Sequence, residues 1–228
     1  MRATVTILLA AALAAALGGC GSAPASAGAG GGTPPSAFAD GPQPTPRPIT
    51  TVAFVGDSLT ARCDLSLYYP ARTAYNFGVD GDTVANVRER MGEVYAAKPS
   101  ALVLLAGIND LAGLFAQPEA VAGELDALLA EIKTSLPETY ILVQSLYPVN
   151  INVDIPLSSA VNERVSETNA LLRDICDEGG YIYIDVYSAL VNADGELAEE
   201  YTVDGVHISE RGYEVISNTV EGSLAEFA

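Results

Sequence analysis

The chain has 228 residues, room for one domain with a full core and too few for two of ordinary size. Hydrophobic residues make up 49% and aromatics 7%, a globular composition that excludes a disordered or fibrous chain. With 29 acidic residues against 11 basic the formal net charge is −18, which repels polyphosphate and argues against a nucleic-acid partner.

Residues 1–19 read as an export signal. Arg2 supplies a weak positive start, and Val5 to Leu17 is an unbroken run of apolar or small residues, of signal-peptide length and too short to span a bilayer. The run closes with Leu17-Gly18-Gly19-Cys20, which resembles the lipobox of bacterial lipoproteins, where small residues admit the signal peptidase and the cysteine thiol accepts a diacylglycerol. The resemblance implies a protein exported to the cell envelope and lipid-anchored through Cys20 to the outer face of a bacterial membrane, where several acyl chains hold more firmly than one. Residues 20–48 follow as a tether with almost nothing to bury. Its first half is a glycine coil around Gly28-Ala29-Gly30-Gly31-Gly32, and its second a stiffer spacer with Pro42, Pro44, Pro46 and Pro48. Such a segment reaches about 30 Å. Two further cysteines, Cys63 and Cys176, fit either a disulfide in an oxidising compartment or a pair of buried thiols, and spacing does not choose between them.

From Ile49 short apolar runs alternate with segments of helical period, so residues 49–228 are expected to form one α/β domain. The strands predicted are Thr51–Val55, Ala74–Phe77, Ala101–Leu105, Tyr140–Gln144 and Tyr181–Val186. Helices are predicted over Thr83–Ala96, over Pro118–Ser135 with proline in its first turn, over Ser158–Glu178, and from near Ser209 onward. Strands apolar throughout and separated by helices are the pattern of a parallel sheet covered on both faces. In such sheets the working residues sit on loops at the carboxyl ends of strands. Those loops hold Gly56-Asp57-Ser58, Gly78-Val79-Asp80-Gly81-Asp82, Gly107-Ile108-Asn109-Asp110 and Asp204-Gly205-Val206-His207.

His207 is the only histidine, which excludes a histidine-rich metal site and obliges any Ser-His chemistry to use this residue. Asp204, three residues earlier, is spaced to hydrogen-bond one imidazole nitrogen and leave the other free as a base. Asp185, in Ile184-Asp185-Val186, is the second carboxylate considered for that role, and the closer spacing favours Asp204. Ser58 follows an apolar strand and begins a helix, so its hydroxyl lies at the sheet edge in front of a helix N-terminus, although a serine there is also a common helix cap. It does not stand in the Gly-x-Ser-x-Gly elbow of another hydrolase fold. Ester hydrolysis also requires donors aimed at an oxyanion. Gly78 and Gly81 both offer an unobstructed backbone N–H, and Asn109 a side-chain amide.

Together the four blocks resemble the GDSL, or SGNH, hydrolase family. Gly56-Asp57-Ser58-Leu59 is similar to its nucleophile block, Asn76-Phe77-Gly78-Val79-Asp80-Gly81-Asp82-Thr83 to its glycine block, Gly107-Ile108-Asn109-Asp110 to its Gly-x-Asn-Asp block, and Asp204-Gly205-Val206-His207 to its Asp-x-x-His block. The resemblance spans everything after the tether, in the family's order. It implies a flavodoxin-like three-layer α/β/α sandwich with a five-stranded parallel sheet, and a serine ester hydrolase working through an acyl-enzyme. The triad it implies is Ser58, His207 and Asp204. The oxyanion donors it implies are the Ser58 and Gly81 N–H groups and the Asn109 amide, with no metal or organic cofactor. Asp57 and Asp110 read as turn organisers.

The walls of the site are expected at Cys63–Arg72, Leu111–Pro118 and Tyr147–Ser158. The last contains the polar Pro148-Val149-Asn150-Ile151-Asn152, and there is no long apolar insertion to act as a lid. This favours a short acyl group, O-acetyl on a carbohydrate, over a lysophospholipid or a thioester. A non-catalytic glycan- or solute-binding lipoprotein of the same fold is the alternative of a different class.

Overall fold

The computed structural model describes residues 47–151 and 160–227. The export signal, Cys20 and all of the tether before Arg47 lie outside the described residues, as do 152–159 of the third expected wall.

Five parallel strands form the sheet: β1 (Thr51–Gly56), β2 (Thr73–Gly78), β3 (Ala101–Leu105), β4 (Tyr140–Gln144) and β5 (Ile182–Ile184), in the order β2-β1-β3-β4-β5. β1 and β3 are central, and Val52, Ala53, Val55, Leu102 and Leu104 have no exposed surface. That is why these strands read as continuous apolar runs. β2 is an edge strand and is covered less than the sequence pattern suggested, with Thr73, Tyr75 and Asn76 exposed. β5 is shorter than predicted, because the Val186 N–H folds back onto the Ile184 carbonyl and ends the pairing.

Right-handed crossovers decide where the helices go. The step from β1 to β2 runs opposite to every later step, so its helices α1 (Ser58–Ala61) and α2 (Leu65–Tyr68) take one face. The helices α3 (Val84–Glu89), α4 (Gly92–Ala97), α5 (Ile108–Ala112), α6 (Pro118–Ser135) and α7 (Ala160–Gly179) serve the later steps and take the other. After α8 (Tyr187–Leu190), the last helix α9 (Glu210–Ala225) returns to pack on α2 and α8. The result is the expected three-layer α/β/α sandwich.

α6 shows why the long helices form where they do. Val121, Leu125, Leu128, Leu129 and Ile132 recur at helical spacing and are buried, each side chain contributing about 1.5–3 kcal/mol of transfer free energy. Pro118 occupies the first turn, where its missing N–H costs no hydrogen bond. α9 starts where Ser209 caps it by accepting from the Gly212 N–H. The helix predicted over Thr83–Ala96 is two helices. A capping box of Thr83 and Asn86 starts α3, and the chain leaves helical geometry at Arg90, whose guanidinium turns inward. Cys63 and Cys176 are both free thiols, half-buried and buried respectively.

Candidate active site

The four sequence blocks converge at the carboxyl edge of the sheet. Ser58 is the first residue of α1, directly beyond β1, and is 7% exposed. Asp57 caps that turn, its Oδ1 accepting from the Leu59 N–H at 2.9 Å. The helix is a single turn, and Asp57 takes the Leu59, Thr60 and Ala61 N–H groups, which leaves one N-terminal amide without a partner among the described residues. That amide is the Ser58 N–H.

His207 Nε2 lies 3.2 Å from Ser58 Oγ across 149 residues of sequence. Its Nδ1 lies 2.6 Å from Asp204 Oδ2. The other oxygen of Asp204 accepts the backbone N–H groups of Val206 at 3.0 Å and His207 at 2.8 Å, so the carboxylate folds its own turn while holding the ring. Burial alone would raise the Asp204 pKa, but the hydrogen bonds from the His207 ring and these two amides outweigh it and hold the carboxyl below its ordinary range. Thr202 Oγ1 braces the turn from below, donating to the His207 carbonyl at 2.8 Å and accepting the Gly205 N–H at 2.8 Å. The Asn150 N–H also reaches this turn, at the Gly205 carbonyl. Asp185 is engaged elsewhere, with Ser188 and Arg173.

Of the two glycines, only one keeps its amide available. The Gly78 N–H is bonded to Asn76 Oδ1 at 2.8 Å, whereas the Gly81 N–H makes no hydrogen bond among the described residues. Gly81 has φ +82° at the third position of the turn Val79–Asp82, a type II geometry that favours glycine there. Asn109, in the first turn of α5, donates from Nδ2 to the Asp82 carbonyl at 2.9 Å, which leaves its second amide hydrogen free. Asp110 Oδ2 accepts the Val84 N–H at 3.1 Å and so ties α5 to α3. Ser58, Gly81, Asn109, Asp204 and His207 therefore meet at one edge, and Asp57 and Asp110 organise the loops that carry them.

Sequence reasoning missed Asn76, Thr202 and Arg90, which act on backbone atoms and belong to no spacing pattern. In the described part of the third wall, the Asn150 side chain donates to the Leu197 carbonyl at 2.8 Å. The loop that follows Asn109 exposes two large apolar side chains. Leu114 and Phe115 are 68% and 61% exposed, and their loop is fastened to the carbonyls of Asn109 and Asp110. A cavity of about 640 Å³ lined by Thr51, Lys98, Ser100 and Tyr140 lies at the opposite, amino edge of the sheet, away from these residues.

A sequence model of the GDSL-like Lipase/Acylhydrolase family matches residues 54–215, well over half of the chain. The chain is 28% identical over 170 residues to the platelet-activating factor acetylhydrolase IB subunit alpha2 of Rattus norvegicus, covering 71% of this chain and 70% of that one. Among solved structures, a GDSL-like lipase from Bacteroides thetaiotaomicron superposes with a TM-score of 0.69 at 18% identity, over 78% of this chain and 89% of the other. A lipase/acylhydrolase from Enterococcus faecalis gives 0.63 at 20% identity, over 78% and 96%.

Proposed function

This chain belongs to the GDSL-like lipase/acylhydrolase family and is an ester hydrolase, and from that premise we propose that Ser58 is its nucleophile, with His207 and Asp204 as base and orienting acid. The observation that carries the reading is the unbroken line of contacts, 3.2 Å from Ser58 Oγ to His207 Nε2 and 2.6 Å from His207 Nδ1 to Asp204. Ser58 Oγ attacks the acyl carbonyl as His207 Nε2 takes its proton. Asp204 holds the ring and favours the imidazolium that forms. The Ser58 and Gly81 N–H groups and the free Asn109 amide hydrogen receive the oxyanion. His207 then protonates the leaving alcohol, and the acyl-enzyme is released by a water that His207 activates. Replacing Ser58 by Ala should lower turnover of p-nitrophenyl acetate by about 10³-fold or more with the thermal unfolding transition preserved. Wild-type turnover in that variant would sink the mechanism, and an inactive wild type would favour a binding protein.

The substrate we infer is a short acyl ester, an O-acetyl group on a carbohydrate. The absence of a long apolar insertion supports the short acyl chain, and the curated relatives named acetylhydrolases support acetyl. Exposed Leu114 and Phe115 in the loop that follows Asn109 support a second reading, an acetyl or acyl ester on a lipid. Initial rates on acetylated oligosaccharides, lysophospholipids and p-nitrophenyl esters of rising chain length separate the two. A rate that grows beyond butyryl overturns the short-acyl reading. We further propose that residues 1–19 export the protein and that Cys20 anchors it by lipid to the outer face of a bacterial membrane, the pattern Leu17-Gly18-Gly19-Cys20 supporting this.

A further inference from the structure

Arg90 lies where the helical pattern after β2 breaks, between α3 and α4, with its side chain 26% exposed. Its three guanidinium nitrogens have three different acceptors. Nη2 donates to the Gly56 carbonyl at 2.7 Å, Nη1 to the Phe77 carbonyl at 2.7 Å, and Nε to Asp82 Oδ2 at 2.5 Å.

Each acceptor belongs to a strand or loop that carries an oxyanion donor. Gly56 ends β1, two residues before Ser58, and its carbonyl also accepts the Val79 N–H at 3.0 Å. Phe77 and Asp82 stand at the two ends of the loop that carries Gly81. The Asp82 carbonyl in turn receives the Asn109 amide at 2.9 Å. One guanidinium thus ties the nucleophile strand to both ends of the glycine loop and, through Asp82, to the asparagine. A planar fork with fixed donor directions can satisfy three acceptors at once, which an ammonium on a flexible stem does not do in the same geometry.

We propose that Arg90 is a positioning residue that sets the spacing of the three oxyanion donors and thereby governs kcat rather than substrate binding. The inference rests on the serine-hydrolase reading above, and it takes this form because small displacements of transition-state donors are costly. A misplacement of about 1 Å can cost on the order of 10²-fold in rate.

The test uses Arg90→Lys, Asn109→Ala and the double variant in the full chain, with p-nitrophenyl acetate as the probe. Arg90→Lys should keep the far-ultraviolet spectrum of the wild type, lower kcat about 10- to 100-fold and change KM by less than about threefold. Asn109→Ala should lower kcat about 10²- to 10³-fold, and the double variant should lose less than the product of the single losses, since Arg90 acts partly through Asn109. A kcat within twofold of wild type, a change confined to KM, or losses that multiply fully would overturn the proposal.

A second readout needs no turnover. The Asn109 side-chain amide proton bonded to the Asp82 carbonyl should exchange slowly in the wild type and markedly faster in Arg90→Lys. Unchanged exchange overturns the proposal. Altered exchange in a protein without esterase activity supports the clamp while refuting the reading it was built on. Should Arg90→Lys fail to fold, Asp82→Asn keeps the backbone carbonyl while removing the carboxylate charge that faces Arg90 Nε. It should show the same kcat and exchange effects in milder form, and their absence counts against the clamp.

Discussion

Asp57 adjoins the proposed nucleophile with no exposed surface, and its Oδ2 has no hydrogen-bond partner among the described residues. Burial raises its pKa from 3.8 to about 7, against the pull of the Leu59 N–H, and the charges of Asp110 and Asp82 push the same way. A carboxyl raised in the native state stabilises fully below its unfolded pKa and loses that stabilisation as pH rises through the native value. Wild-type stability should therefore decline between about pH 4 and pH 7 by a component on the order of 4 kcal/mol at most. Asp57→Asn keeps the acceptor for Leu59 and removes the proton, so its urea midpoint should fall less over that range. Asp110, also raised by burial, should leave a remainder of the same sign. Identical pH profiles for the two proteins would mean that Asp57 is ionised throughout. At this scale the sequence marked the residues that the fold brings together, because Ser58, Asp204 and His207 lie in short blocks of fixed spacing. Residue type alone did not distinguish Gly78 from Gly81, and only the family resemblance implied Gly81. That choice depends on Asn76, whose side chain occupies one amide and not the other.

Helices of four turns or more were legible, since Pro118–Ser135 carries its apolar stripe and its proline on the surface of the sequence. Single-turn helices were not, apart from the turn at Ser58. α2 is set by Asp64, whose side chain accepts from the Ser66 and Leu67 N–H groups, and α8 by the Ser145 hydroxyl on the Tyr187 N–H. A single polar atom fixes each, and no periodicity announces it. The break at Arg90 was hidden for a related reason, because its acceptors come from strands distant in sequence. Close packing between elements gives a further expectation. A Cβ on Gly78 would stand 2.2 Å from the Ala61 nitrogen, backbone that cannot step aside, so the end of β2 and α1 would be driven apart. Gly78→Ala should cost about 1–3 kcal/mol or more in urea unfolding and also lower kcat, since α1 carries Ser58. A variant as stable and active as wild type would show that the two elements are not rigidly joined.

At the scale of the molecule, the chain combines the acidic domain with an N-terminal segment whose proposed role is anchorage. Cys20→Ser should shift the protein from the membrane fraction to the soluble envelope fraction or the medium, with specific activity unchanged. Membrane association that survives the substitution would refute the lipid anchor. No helix among the described residues is long and apolar enough to cross a membrane.

The parallel sheet has a direction. The chain enters it at Arg47, beside Glu138 and Tyr140 at the amino ends of the strands, while Ser58 and His207 stand at the carboxyl ends. Six residues of β1 separate the two edges, about 20 Å of extended backbone. The edge where the described chain begins and the edge where the four sequence blocks meet are therefore opposite ends of the same strand.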